Sequence, residues 1–257
     1  MAQSILSKQA SKSIKISVSL TLALASISPA HAALQSRAGG TMVYDTDRNI
    51  TWVADANLFQ TQAVSNTELV SQVISNIGQI NDIPNTYDTP SDSGYHTLSL
   101  IDFDVNSGKM SWFGAKAWVD NLVYGGYSDW RLPTTVPTDF GYNQTGSEMG
   151  HLFYSELGGV ANSTISSHHE NAYNLFNHVS DTLHASTYWS AAEYTPDPIS
   201  AWVFSTFNGN QGRSRKFSTY YAWAVRDGDV AIVPVPGAIW LFGTGLLGLL
   251  SSKLRGN

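Results

Sequence analysis

Gly125-Gly126-Tyr127-Ser128-Asp129-Trp130-Arg131-Leu132-Pro133-Thr134 packs a turn, a large indole, a charge and a proline stop into ten residues. Glycine adopts positive φ at no steric cost, so Gly125-Gly126 predicts the end of a helix. Pro133 drives Leu132 out of the α region, and the chain must leave as an extended segment. In an extended segment neighbours point to opposite sides, so Trp130 and Leu132 face a core while Arg131 points away. There its planar fork of donors suits carbonyls or a carboxylate. The decapeptide reads as an organiser of packing rather than a ligand contact.

Working outward, a helix leads into this stretch from Ser111, with Trp112, Ala115, Val119 and Leu122 on one face and Lys116 and Asp120 on the other. A shorter helix follows over Ser147 to Leu157, capped by Ser147 and ended by Gly158-Gly159. Further upstream, Val70, Val73, Ile74 and Ile77 repeat at helical spacing and predict a helix from Asn66 to Gly78. The breaker-rich run Asn81 to Gly94 is a loop, and Thr97 to Phe103 reads as a strand. Met42 to Val53 reads as a hairpin around a polar turn. Its Asp45-x-Asp47-x-Asn49 spacing has the start of a calcium loop, but Ile50 replaces the required glycine and Ala56 the final glutamate. It is therefore a plain turn. Downstream, Ala161 to Ser186 is polar and reads as a long loop anchored by Leu175-Phe176. Three aromatic strands follow: Thr187 to Ala191 with Trp189, Ala201 to Thr206 with Trp202, and Tyr220 to Arg226 with Trp223. Asn208-Gly209-Asn210 supplies a hairpin turn between the last two.

The chain has 257 residues and no cysteine, which excludes thiol catalysis and disulfide scaffolds. Residues 1–32 have the form of a signal peptide: Lys8, Lys12 and Lys15, an apolar run from Ile16 to Ile27, and an Ala30-His31-Ala32 cleavage site ending at Ala32. At the other end Ala231 to Ser252 is uncharged and long enough to span a bilayer, with Lys253 and Arg255 behind it as a cytoplasmic flank. The domain proper is 33–232, and 233–257 is a separate apolar segment. Of the 14 Lys and Arg, five lie in the two ends; the middle holds nine basic against 20 acidic residues, a net charge of −11. Such acidity argues against nucleic acid and anionic lipid as partners.

Taken in order, Ile50-Thr51-Trp52 with Asp55-Ala56-Asn57, Trp112…Ala115…Trp118…Leu122, Gly125 to Thr134, Tyr188-Trp189-Ser190, Ala201-Trp202 and Tyr221 to Arg226 resemble the Lcl C-terminal domain family. The resemblance implies an α+β, C-type-lectin-like domain with two to three helices, small antiparallel sheets, long loops and paired N- and C-terminal strands. The tail Val233-Pro234-Val235-Pro236, with the apolar run and basic end behind it, resembles the Val-Pro-x-Pro variant of the PEP-CTERM sorting signals. That implies an exosortase-like processing enzyme in a Gram-negative bacterium, export across the inner membrane, and release to the cell surface or medium.

Catalytic motifs are wanting. His169-Glu170 lacks the second histidine of a metalloprotease helix, since Tyr173 stands there. Glu148-x-x-His151 reads as a capping carboxylate and a surface histidine. There is no nucleophile elbow, phosphate loop or dinucleotide fingerprint. The sequence thus implies no catalytic residue, no metal and no cofactor. The expected function is a secreted binding or adhesion protein associated with extracellular polysaccharide or a surface protein. The alternatives are a polysaccharide-active enzyme using Glu148, Glu193 or Asp197, and a purely structural envelope protein.

Overall fold

A computed structural model describes residues 34–183 and 186–230. The signal peptide with its Ala32 cleavage site and the sorting tail with Val233, Pro234 and Pro236 lie outside the described residues. Among the described residues no helix is long and apolar enough to cross a membrane.

The fold is α+β, with four α-helices and small antiparallel sheets among the described residues. Strands β1 (Leu34–Arg37), β2 (Met42–Asp45) and β3 (Ile50–Val53) form a meander. Asp45 Oδ1 closes the β2–β3 turn by accepting the Asp47 and Arg48 amides at 3.0 and 2.9 Å. Asn49 takes the turn's positive φ of 52°, a conformation asparagine tolerates. Helices α1 (Leu58–Ser65) and α2 (Leu69–Ile77) follow. Then come two short ladders, β4 (Gln79–Asn81) with β5 (Tyr95–Thr97) and β6 (Phe103–Asp104) with β7 (Lys109–Met110). Helix α3 (Trp112–Asn121) is capped by the Ser111 hydroxyl, which accepts the Gly114 amide at 3.0 Å. Helix α4 (Glu148–His151), capped in the same way by Ser147, runs into a π-helical turn, Leu152–Glu156. Strands β8 (Thr187–Glu193), β9 (Ser200–Ser205) and β10 (Gln211–Arg215) make a three-stranded sheet. The final strand, β11 (Val225–Asp227), pairs with β3, Val225 opposite Trp52, and completes the order β1-β2-β3-β11.

That four-stranded sheet stands between two cores. Met42 and Val53 join a cluster built on α3 with Trp112, Trp118, Trp130 and Trp189. Their neighbours Val43 and Trp52 join a second cluster with Trp223, Tyr188, Phe153 and Phe204. The period-two alternation of a strand sends successive side chains to the two sides. Each buried tryptophan removes roughly 150–250 Å² from water, worth about 4–6 kcal/mol before entropy. Trp52, Trp112, Trp118, Trp130, Trp189, Trp202 and Trp223 are all buried, so a chain without disulfides rests on these rings.

Several sequence expectations need correction. Gly125-Gly126 does not end a helix. α3 stops at Asn121, where Leu122 turns extended, and the glycines are the two central residues of a tight turn in which Tyr124 and Tyr127 exchange both backbone hydrogen bonds. Their φ values of 61° and 86° are what such a hairpin turn demands. The segment Thr97 to Phe103 is not one strand: Thr97 ends β5 and Phe103 begins β6, and between them Ser99 starts a 3-10 turn over Leu100–Asp102, its amide donating to Asp102 Oδ2 at 2.9 Å. α1 was not expected, because its apolar residues Leu58 and Phe59 are adjacent and do not recur at helical spacing. The Asn208-Gly209-Asn210 turn leads from β9 into β10 rather than into the Trp223 segment. β10 reads Gln-Gly-Arg-Ser-Arg and has no apolar alternation, because an edge strand needs only a backbone partner. Strand β11 is shorter than the Tyr220 to Arg226 reading, since Tyr220 and Tyr221 make isolated bridges to Met110 and Tyr188.

Candidate functional site

The decapeptide docks on the C-terminal strand. The Arg131 amide donates to the Val225 carbonyl at 2.8 Å and the Val225 amide returns a bond to Arg131 at 2.9 Å. Trp130 is buried, and its indole N–H lies 3.2 Å from the carbonyls of both Tyr124 and Tyr127, on the turn that Gly125 and Gly126 close. Arg131 points the other way and grips Glu148 with two bonds of 2.8 Å, while Asp227 takes its remaining side. Burial opposes the Arg131 charge, but Glu148 and then Asp227 outweigh it and hold the guanidinium above its ordinary pKa. Asp129 receives Arg226 of β11 through a fork of 2.8 and 2.9 Å. Arg226 also lies 4.1 Å from the Tyr127 ring centre. The Pro133 carbonyl accepts from the Ser190 hydroxyl and the Ala191 amide, both at 2.8 Å, which ties the segment to β8 beside Trp189.

The carboxylates named as acid and base are not brought together. Glu148 serves Arg131 and the Thr134 amide, Glu193 serves the buried Lys216, and Asp197 serves Arg213 at 2.9 Å. Glu148 is therefore an ion-pair partner and not a helix cap, and His151 is no surface histidine. The His151 Nε2 lies 2.9 Å from Glu156 Oε1 and 3.8 Å from Asp45 Oδ2, with the side chain only 13% exposed. Asp45, His151 and Glu156 present ligand atoms within 4.8 Å of one another, a spacing one cation accepts. Asp45 Oδ2 is buried without a hydrogen-bond partner. Burial pushes the Asp45 carboxyl above the usual carboxylate range, against the pull of the Arg48 amide, and the charge of Glu156 adds to the rise. The Asp45-x-Asp47-x-Asn49 motif forms a turn, and Asp45 Oδ1 is already engaged by its amides.

A groove of about 420 Å³ runs along α1, lined by Asp55, Leu58, Thr61, Gln62, Asn66 and Tyr124 among others. Tyr124, the residue before the decapeptide and the first of the Gly125-Gly126 turn, supplies one wall. Asp55 is fixed from several directions. Its Oδ1 accepts the Asn57 amide at 2.9 Å and lies 2.9 Å from His178 Nδ1, while Oδ2 accepts the Thr61 hydroxyl at 2.6 Å. Gln62 is oriented by the Trp118 indole N–H, which donates to its Oε1 at 2.9 Å. A second hollow of about 190 Å³ shares Gln62 and Leu69 and adds Trp118, Asn121, Leu122 and Val123. The two together offer amides, hydroxyls, one carboxylate and a tyrosine over an apolar floor, with no cation in the lining. Sequence reasoning missed this site because α1 itself was not visible. Its one sequence signal was Asp55-Ala56-Asn57.

The sequence profile of the Lcl C-terminal domain family matches residues 41–226. The chain belongs to that family. The match opens one residue before β2 and closes within β11, so it takes in the β2, β3 and β11 pairing that joins the two ends of the Lcl C-terminal domain and leaves out β1. A search of curated proteins finds no match.

Proposed function

We propose that this Lcl C-terminal domain protein is an exported, non-enzymatic binding protein of the cell surface or extracellular polymer, with a C-type-lectin-like fold, and that the α1 groove takes a neutral polysaccharide. The observation that carries the reading is the lining. Side-chain amides and hydroxyls from Thr61, Gln62, Asn66 and Asn121 match sugar hydroxyls, and Tyr124 offers a ring. A domain of net charge −11 with a groove free of cations favours neutral over anionic glycans. The separate ion pairs of Glu148, Glu193 and Asp197 favour binding over hydrolysis, which needs two carboxylates across one scissile bond. Export rests on the signal-like residues 1–32. Release rests on Val233, Pro234 and Pro236, whose prolines hold an extended backbone for an exosortase-like protease ahead of the apolar segment.

The test is titration of the purified protein with a panel of neutral and acidic glycans. Neutral polymers are expected to bind, and Asn66→Ala with Asn121→Ala to weaken them about tenfold, the loss of roughly one net hydrogen bond. Binding left unchanged by the pair of substitutions would remove the groove from the account. Glycan turnover lost on Glu148 or Glu193 substitution would replace binding by catalysis. Intact mass of the protein from its native host is expected to lack 233–257; a mature species that keeps Trp240 would refute the release step.

A further inference from the structure

Lys216 directly follows β10, close in sequence to Arg213 and Arg215, and it is fully buried. Its Nζ lies 2.5 Å from Asp82 Oδ2 and 2.7 Å from Glu193 Oε2. The Asp82 and Lys216 side chains are both 0% exposed. Trp112 and Phe113 roof the ammonium, with ring centres 5.2 and 5.6 Å away. Two carboxylates and one ammonium in a ring-lined pocket leave a net negative charge, an arrangement with a large desolvation cost. The second oxygen of Asp82, Oδ1, is buried and has no hydrogen-bond partner.

We propose that Lys216 and Asp82 condense autocatalytically into an intramolecular amide crosslink, with Glu193 as the proton carrier. The reaction needs a neutral amine against a protonated carboxyl, and it gains from an apolar enclosure in which the ion pair is poorly solvated. Burial raises the pKa of Asp82 against the pull of Lys216, which favours the protonated acid. The Nζ lone pair attacks Asp82 Cγ. Oδ2, which accepts the Asn85 side-chain amide at 2.8 Å, carries the developing charge and becomes the amide oxygen. Glu193 takes a proton from Nζ and passes it on to Oδ1, the C–Oδ1 bond breaks, and that oxygen departs as water. One amine and one acid become one amide and one water, with no oxidant or second reactant. Glu193 is held for this role by the Ile83 amide, which donates to the same Oε2 at 2.9 Å. The bond would close a loop of 134 residues, from β4's exit to β10's end, in a chain that has no cysteine to crosslink it. This assignment does not depend on what the groove binds.

The experiment is peptide mapping of the full chain by mass spectrometry. Trypsin is expected to release a branched species joining peptides 49–109 and 216–226, lighter than the sum of the two by one water, about 18 Da. Glu193→Gln, in a protein whose circular dichroism shows it folded, is expected to yield 49–109 unlinked and, because trypsin then cuts after the free Lys216, peptide 217–226. Should Glu193→Gln not fold, Lys216→Arg provides the unlinked reference, and the wild-type map decides by itself. Wild-type protein that gives unlinked 49–109 at full mass together with 217–226, cut after a free Lys216, would overturn the proposal and leave Lys216 a buried ion pair.

Discussion

Arg131→Met tests how the decapeptide holds the fold. Arg131 makes two ion pairs of different kinds: Glu148, with its side chain 9% exposed, receives both terminal nitrogens, while Asp227 is 79% exposed. An exposed pair contributes about 0.2–1 kcal/mol, so nearly all the cost comes from Glu148. Methionine fills the volume but leaves a buried carboxylate with only the Thr134 amide, at 2.7 Å, as partner. Breaking a buried pair from one side costs about 3–5 kcal/mol. With a urea slope of roughly 2 kcal/mol/M, the unfolding midpoint should fall by about 1.5–2.5 M, read by tryptophan fluorescence and far-ultraviolet circular dichroism. The double variant Arg131→Met with Glu148→Gln removes both charges and keeps an acceptor for Thr134, and it should return to within about 1 kcal/mol of wild type. Arg131→Lys should fall between, because one ammonium cannot grip both oxygens. A single variant that loses less than about 1 kcal/mol, or a double variant that recovers nothing, would refute the argument.

Trp130→Ala should cost about 3–5 kcal/mol, as for a fully buried large ring; a melting temperature only a degree or two lower would show that the ring holds nothing. His96 has Nδ1 3.2 Å from the Tyr87 carbonyl and Nε2 3.1 Å from Asp102, two acceptors that only the protonated ring satisfies. Burial opposes the charge, but Asp102 prevails and raises the pKa above its ordinary value. Its stabilisation is therefore full below about pH 6.5 and is lost as pH rises through the higher folded value. Wild type measured against His96→Gln over pH 5 to 9 should show that decline, and a difference that does not vary with pH would exclude it. Dialysis against a chelator should leave melting unchanged, because Asp45 spends one oxygen on turn amides and calcium needs six to eight oxygen ligands. A fall of several degrees would instead make Asp45, His151 and Glu156 a metal centre.

Much of the local architecture was legible in the sequence, because it follows from short-range rules. Ser111 and Ser147 announced their helices through their caps, Gly78 stopped α2 at a positive φ of 74°, and the Met42 to Val53 hairpin came from alternation around a polar turn. The same rules place Trp130 inward and Arg131 outward, toward carbonyls or a carboxylate, and the structure supplies Glu148. Period-two geometry and Pro133 settle both directions before any partner is known.

Tertiary structure alone decided which charges meet. Glu148 stands at the start of a helix, where a carboxylate caps, yet finds Arg131, 17 residues away; His151 reads as a surface residue yet meets Asp45 across the chain; Lys216, close in sequence to Arg213 and Arg215, lies in a ring-lined pocket. Sequence spacing fixes a side chain's face within its own helix or strand. It carries no information on what the opposing element presents, since ion pairs 97 or 134 residues apart depend on how whole sheets and helices pack. The groove has the same origin: α1 lacks an apolar repeat of its own, and becomes a wall only where Trp118 and Tyr124 stand behind it.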